Sequence, residues 1–252
     1  MKYIIVFLIY CSSTIYSQDF NRIFSQANDA YNSGLYEEAI TLYNKIILGG
    51  QHDSSIYFNL GNSHYKLNNV AESIYYFEKA KLFSLKDEDI EINLAFAKNM
   101  TIDSIDPLPK SDLLRFREYL FDLFSLNEYS FIIILFSWLT AIFFGLYLFN
   151  SKPYSKRFYF SFSLLSMLFL ILSFSVSSLK SSIKKEEIFG IIFDRKIEIW
   201  AEPNFRSENL FSLHEGTKVQ VLDSLQEWKK IKIANGSEGW IKEAIIKNLN
   251  RF

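Results

Sequence analysis

The side chains able to do covalent or acid–base chemistry are few and scattered. The chain has one cysteine, Cys11, and three histidines, His52, His64 and His214. A closed tetrahedral zinc site needs clustered thiolates or imidazoles, and this set cannot supply them. The carboxylates Asp87, Glu88, Asp89 and Glu91 mark a helix start, where they favour the positive end of the helix dipole and have no catalytic partner beside them. No Gly-rich phosphate loop, Gly-x-Ser-x-Gly elbow or His-Glu-x-x-His pair occurs in the sequence. The expectation is a protein with no catalytic residue, no metal site and no cofactor. The chemistry left to it is recognition.

The chain of 252 residues has a net charge of −1, which gives no basic footprint for nucleic acid, so no nucleic-acid partner is expected. Two runs, Tyr129–Phe149 and Phe158–Leu179, contain no Asp, Glu, Lys or Arg, and the remainder of the chain has an ordinary soluble composition. Helices of about 20 residues, rising about 1.5 Å per residue, span the roughly 30 Å hydrocarbon core of a bilayer. The runs therefore read as two transmembrane helices, 129–149 and 158–179, closed into a hairpin by the loop 150–157. Two buried core helices of a soluble domain are the competing reading. Ser137, Ala141 and Gly145 recur every fourth residue on the first run, and Ser163, Ser166, Ser173 and Ser177 fall near one stripe of the second. Small residues permit close backbone approach, so these faces are expected to pack together, or against a partner's membrane helix. No ionisable residue lies inside either run, so no ion or proton path is expected.

Residues 1–17 have the order of a secretory signal peptide: Lys2, an apolar core Tyr3–Cys11, then small polar residues to Ser17. Lipoprotein processing at Cys11 is the rival reading, and the bulky Tyr10 before it stands against that. Export places the parts flanking the hairpin in the periplasm and the loop 150–157 in the cytoplasm of a bacterial inner membrane. Lys152, Lys156 and Arg157 in that loop agree with the positive-inside rule, although Lys180, Lys184 and Lys185 follow the second run.

Residues 20–106 repeat at an offset of 34, in segments 20–53, 54–87 and a partial 88–106. Ala27 meets Gly61, Tyr31 meets Tyr65, Tyr43 meets Phe77, Lys45 meets Lys79, and Asn59-Leu60-Gly61 meets Asn93-Leu94-Ala95. Gly34 and Asn68-Asn69 supply turns inside the pairs. This pattern resembles the tetratricopeptide repeat, an all-α solenoid of stacked helix pairs. Ile46 departs from it where a small residue is usual, and the third repeat keeps only its first helix, as a cap. The resemblance implies a protein-binding groove lined by the first helix of each pair: Phe24, Asn28 and Tyr31, then Phe58, Asn62, Tyr65 and Lys66, then Phe96. Asn28 and Asn62 are then placed to bond a peptide backbone. The cation pairs with which some members clamp a carboxylate are missing, with Phe24 and Phe58 in their places. The alternative for each aromatic is packing between helices, and the same reading applies to His64.

Residues 107–128 join the repeats to the hairpin. Pro107 and Pro109 end the array, and Leu113, Phe116, Leu120 and Phe124 recur at near-helical spacing, as in an amphipathic helix on a membrane surface or an extension of the array. From Ile188 the period changes to two. Strands are expected at Lys196–Trp200, Lys218–Asp223, Trp228–Ile233 and Gly239–Ile241, with turns at Glu215-Gly216 and Asn235-Gly236, where both Asn and Gly tolerate positive φ. Ile199-Trp200-Ala201-Glu202-Pro203, Leu213–Val219, Trp228–Ile231 and Asn235–Ile241, with Gly239-Trp240 the most specific element, resemble the bacterial SH3 domain. That implies a small all-β SH3-like barrel over 188–252, in which Trp228 and Trp240 line a groove for cell-wall peptides or protein segments. The competing use of either tryptophan is to close the core, and for Trp240 the core is the preferred reading.

The whole order describes a multidomain membrane protein and resembles the E component of the Bat (Bacteroides aerotolerance) proteins. The resemblance implies a non-catalytic scaffold in a cell-envelope complex linked to stress or oxygen tolerance. Its partners would be von Willebrand factor A-domain membrane proteins and a MoxR-type ATPase. A cell-wall sensor that binds peptidoglycan peptides through the barrel is the second reading.

Overall fold

The computed structural model describes residues 20–249, so the signal-peptide segment 1–17 and Cys11 lie outside the described residues. Two compact units result. One runs to Pro107 and resumes at Ile188, and the other is Leu108–Glu187.

The first unit begins with helices that cannot bury their apolar stripes alone. α1 (20–32) pairs with α2 (Tyr36–Leu48), and α3 (Ser54–Lys66) with α4 (Val70–Phe83). The turns inside the pairs use Gly34, at φ 79°, and Asn68, at φ 63°. Asp53 caps α3 by accepting from the Ser55 amide, and Asp87 caps α5 (Glu88–Lys98) by accepting from Asp89 and Ile90. The offset of the sequence reappears in the packing, because Ala27 and Gly61 are buried, as are Tyr43 and Phe77. A Cβ on Gly61 would stand 2.6 Å from the Phe77 ring, so only glycine lets α3 approach α4 this closely. Ser73 fixes the same crossing by donating its hydroxyl to the Gly61 carbonyl at 3.0 Å.

From Ile188 the chain forms a seven-stranded antiparallel sheet: β1 (Ile188–Ile192), β2 (Lys196–Trp200), β3 (Asn209–His214), β4 (Lys218–Leu225), β5 (Trp228–Lys232), β6 (Glu238–Lys242) and β7 (Ile246–Asn248), in the order β3-β2-β6-β5-β4-β1-β7. One face closes on Ile192, Ile197, Ile199, Leu213, Ile231 and Ile241, as in an SH3-like domain. The expected strands are present, with β4 running on to Leu225. β1, β3 and β7 are additional, and their short or mixed patterns carried little period-two signal. At Asn235-Gly236 only Gly236 takes positive φ, at 88°. The turn therefore closes through Gly236 and Ser237, with Ile233 donating to the Ser237 carbonyl at 3.0 Å.

The sheet is built onto the helices. Ile191 points away from the sheet core and buries with Ile74, Phe77, Leu94 and Ala97 of α4 and α5. β1 is thus covered on both faces, which is why its Gly190-Ile191-Ile192 run does not alternate. Glu78 of α4, nearly fully buried, bonds Lys218 of β4 at 2.7 Å and Lys98 of α5 at 3.2 Å. Burial pushes its carboxyl upward, but the two ammonium groups more than offset that and hold it below the ordinary range. Lys247 of β7 lies over the Tyr75 ring at 4.4 Å.

The second unit contains α6 (Asp112–Leu123), α7 (Leu126–Phe149) and α8 (Pro153–Glu186). A capping box of Ser125 and Glu128 starts α7. The expected loop 150–157 contracts to 150–152, because Pro153 suits the first turn of α8. α7 and α8 pack against each other and are long and apolar enough to cross a membrane. Their contact is aromatic on the α7 side. Phe136 stacks on Phe169 at 5.3 Å, Phe143 meets Phe162 at 5.5 Å, and Tyr147 meets Phe160 at 5.4 Å. The α7 half of the expected small-residue face is therefore corrected. Ser137 and Ala141 are exposed, and a Cβ on Gly145 would meet nothing within 4 Å. Ser137 and Ala141 sit one position, about 100°, round from Phe136 and Thr140 and point outward, and Gly145 sits two positions beyond Phe143. On α8, Ser163 and Ser166 are buried and Ser173 is half-buried, and Ser163 donates to the Thr140 carbonyl at 3.3 Å.

Candidate functional site

Strand alternation sorts the barrel's aromatics. Along β6, Gly239 and Ile241 turn inward, so Glu238, Trp240 and Lys242 occupy the outer face. Along β5, Lys229 and Ile231 are buried and Trp228, Lys230 and Lys232 face outward. Along β2, Ile197 and Ile199 turn inward and Trp200 outward. Register then brings these residues together: Trp200 stands opposite Trp240, Trp240 opposite Lys230, and Trp228 opposite Lys242. The close pairing of β2 with β6 depends on Gly239, where a Cβ would stand 2.3 Å from Ile199.

The connection between β2 and β3 supplies the remaining ring. Phe205, 60% exposed, lies 4.9 Å from Trp228 and 5.7 Å edge-on from Trp200. Its loop is internally bonded. The Ser207 hydroxyl donates to the Asn204 carbonyl at 2.9 Å, the Arg206 amide donates to Asn204 Oδ1 at 2.9 Å, and the Ala201 amide donates to the Glu208 carbonyl at 3.0 Å. Lys242 reaches over the Phe205 ring at 5.5 Å and pairs with Glu227 at 3.2 Å. A groove of about 550 Å³ results, floored by Phe205 and Trp228 and rimmed by Pro203, Arg206, Glu227 and Lys242. Flat, half-exposed rings bind at small entropic cost, and a rim of both charges can orient a peptide.

Trp228 and Trp240, both named from the sequence, lie on this face, and Trp240 does not close the core. Trp200 and Phe205 were not named as site residues. Trp200 stood in the SH3-like motif, whereas Phe205 lies in an irregular loop where no periodicity marks it. The residues expected to line the repeat groove lie on the first helices of the pairs, Phe24, Asn28 and Tyr31 on α1, four on α3, and Phe96 on α5. Several are engaged internally. Asn28 Oδ1 accepts from the Tyr43 hydroxyl at 2.6 Å and from Asn59 at 3.1 Å, which ties α1 to α2 and α3 and takes that oxygen away from a peptide. Phe24 packs edge-on against Tyr43 at 6.0 Å and Tyr31 against Tyr36 at 5.4 Å, and Phe58 is tilted against Phe77 at 5.8 Å. Asn62 and Tyr65 are half-buried, and Lys66 and Phe96 are exposed. His64 stacks on Tyr76 at 5.2 Å, and burial pushes its pKa down.

No curated protein matches the chain. Residues 199–247 match the bacterial SH3 domain, and all four aromatics of the outer face fall inside that matched segment.

Proposed function

We propose that this chain is a non-catalytic, membrane-held adaptor that captures an extended peptide segment of a protein partner on the outer face of its SH3-like sheet. The observation that carries this reading is the contact of Phe205 with Trp200 and Trp228 beside charged groups, with Trp240 opposite Trp200 on the same face. Aromatic grooves of this kind suit extended, proline-containing peptides, whose shape is set before binding. The helical pairs α1–α5 are read as tetratricopeptide repeats, supported by the buried Tyr43 and Phe77 at matching positions. α7 and α8 are read as membrane spans, which holds the adaptor at an inner membrane with both flanking parts in the periplasm. A cell-envelope complex like that of the Bat proteins, with von Willebrand factor A-domain and MoxR-type partners, is the assembly this order of parts resembles.

The test is tryptophan fluorescence of the full chain titrated with proline-containing peptides and, separately, with purified muropeptides. Saturable quenching by the peptides, lost in Trp228→Ala, supports the adaptor. Saturation by muropeptides alone moves the assignment to the cell-wall sensor, and no saturation by either ends both. Single cysteines at Ser54, Ser155 and Ser237 in a Cys11→Ser background, labelled from outside spheroplasts, test the topology. Labelling at Ser54 and Ser237 but not Ser155 is expected.

A further inference from the structure

α6 turns much of its apolar surface outward. Leu113 is 77% exposed, Phe116 59% and Tyr119 63%, and Leu123 is exposed as well. At 3.6 residues per turn Leu113, Phe116, Leu120 and Leu123 form one sector with Tyr119 at its edge, while Arg115, Glu118 and Asp122 form the opposite sector. On the flank between them Arg117 and Phe121 are half-buried, with the guanidinium 5.9 Å from the Phe121 ring, while Leu114 is 38% exposed.

The level of α6 along the hairpin is fixed at its C-terminal end. Phe124, its C-cap, is followed directly by Ser125, the N-cap of α7. Lys180 of α8 donates to the carbonyls of Phe121 and Phe124, the second at 2.8 Å. Lys180 is the first charged residue after the charge-free run that ends at Leu179, and Glu128 is the last before the run that begins at Tyr129. The end of α6 is therefore tied to the line at which the apolar surface of the hairpin stops.

We propose that α6 lies in the boundary between lipid headgroups and acyl chains, with Leu113, Phe116, Tyr119 and Leu123 toward the acyl chains and Arg115, Glu118 and Asp122 toward water. The occupant of the exposed sector is lipid, because the end of α6 is tied to the level at which the charge-free runs of α7 and α8 stop. A tyrosine at the sector's edge suits that depth, as do charges on the opposite side. This inference rests on reading α7 and α8 as membrane spans.

The test places the full chain, with Cys11→Ser and a nitroxide at Leu113→Cys, Phe116→Cys, Asp122→Cys or Ile142→Cys in turn, in nanodiscs of phosphatidylcholine and phosphatidylglycerol. Collision with oxygen reports acyl chains, and collision with a nickel chelate reports water. Ile142, exposed on α7, is the reference for the hairpin. The expected result is loss of nickel collision at Leu113, Phe116 and Ile142 together, with nickel collision kept at Asp122. Nickel collision at Phe116 as high as at Asp122, with Ile142 still protected, overturns the placement of α6 and leaves the hairpin standing. Nickel collision at Ile142 overturns both.

Discussion

Asp103 and His214, 111 positions apart, are joined by two hydrogen bonds: the His214 amide donates to Asp103 Oδ2 at 2.7 Å, and the His214 ring Nδ1 lies 2.7 Å from Oδ1. The Thr217 hydroxyl donates to Oδ2 at 2.6 Å. The hydroxyl goes to the carboxylate and not to the ring, so these groups do not form a relay from hydroxyl through imidazole to acid. They clasp the irregular chain after α5 to the turn between β3 and β4.

That clasp has a pH signature. Burial raises the Asp103 carboxyl, and the hydrogen bonds from Thr217 and His214 outweigh it, so the group is held below the ordinary carboxylate range. Its stabilisation is present above the unfolded pKa of about 4 and is lost as pH falls through the lower folded value. The denaturant midpoint followed by tryptophan fluorescence is expected to drop below about pH 4. Asp103→Asn is expected to flatten that drop in part, the remainder belonging to Glu78, whose carboxyl is depressed in the same direction.

Glu78 gives a second, larger effect. Glu78→Ala leaves Lys218 and Lys98 without their shared acid at the junction of helix and sheet; both ammonium groups are a third to a half exposed and can turn to water, so the expected cost is about 1.5–3 kcal/mol, that of the lost charged hydrogen bonds. Replacing Glu78 by Leu together with Lys218 by Met is expected to recover most of that loss. Equilibrium unfolding of the natural chain and the two variants measures both steps.

Two glycines are set by close approach. Gly61→Ala drives a methyl into the Phe77 ring between α3 and α4, and Gly239→Ala drives one into Ile199 between β6 and β2. Each is expected to cost about 1–3 kcal/mol, the range for overpacking. Gly61→Ala with Phe77→Leu should regain stability, as a thermal melt will show.

In the groove, Phe205→Ala and Trp228→Ala are expected to weaken a bound peptide by about 2 kcal/mol each, roughly thirtyfold in Kd, without unfolding the sheet. Lys66→Ala, on α3, should leave that Kd unchanged. Fluorescence titration measures both.

The corrected hairpin face predicts an asymmetry. Ala141→Leu adds bulk to an outward surface and is expected to leave the melting temperature in detergent unchanged, whereas Ser163→Leu adds it against Thr140 and should lower it.

The sequence by itself determined the parts. A 34-residue period, two charge-free runs and an alternating tail are local patterns, and helix pairs, apolar helices and strands follow from them because each element must bury one stripe or one face. Gly34, Asn68 and Gly216 marked turns for the same local reason. Tertiary structure alone decided how the parts combine. Nothing in the Ile191 or Lys218 neighbourhoods announces α4, since contacts between residues more than 100 positions apart leave no period in a single chain. The site divides the same way. Trp228 and Trp240 were legible because tryptophans in short strands are few, but strand register decided that they share a face with Trp200, and a bonded loop brought Phe205 to them. The α7 face went the other way, since small residues at fourfold spacing mark a stripe but not the direction in which it points. That direction followed from where the larger rings of Phe136, Phe143 and Tyr147 found partners.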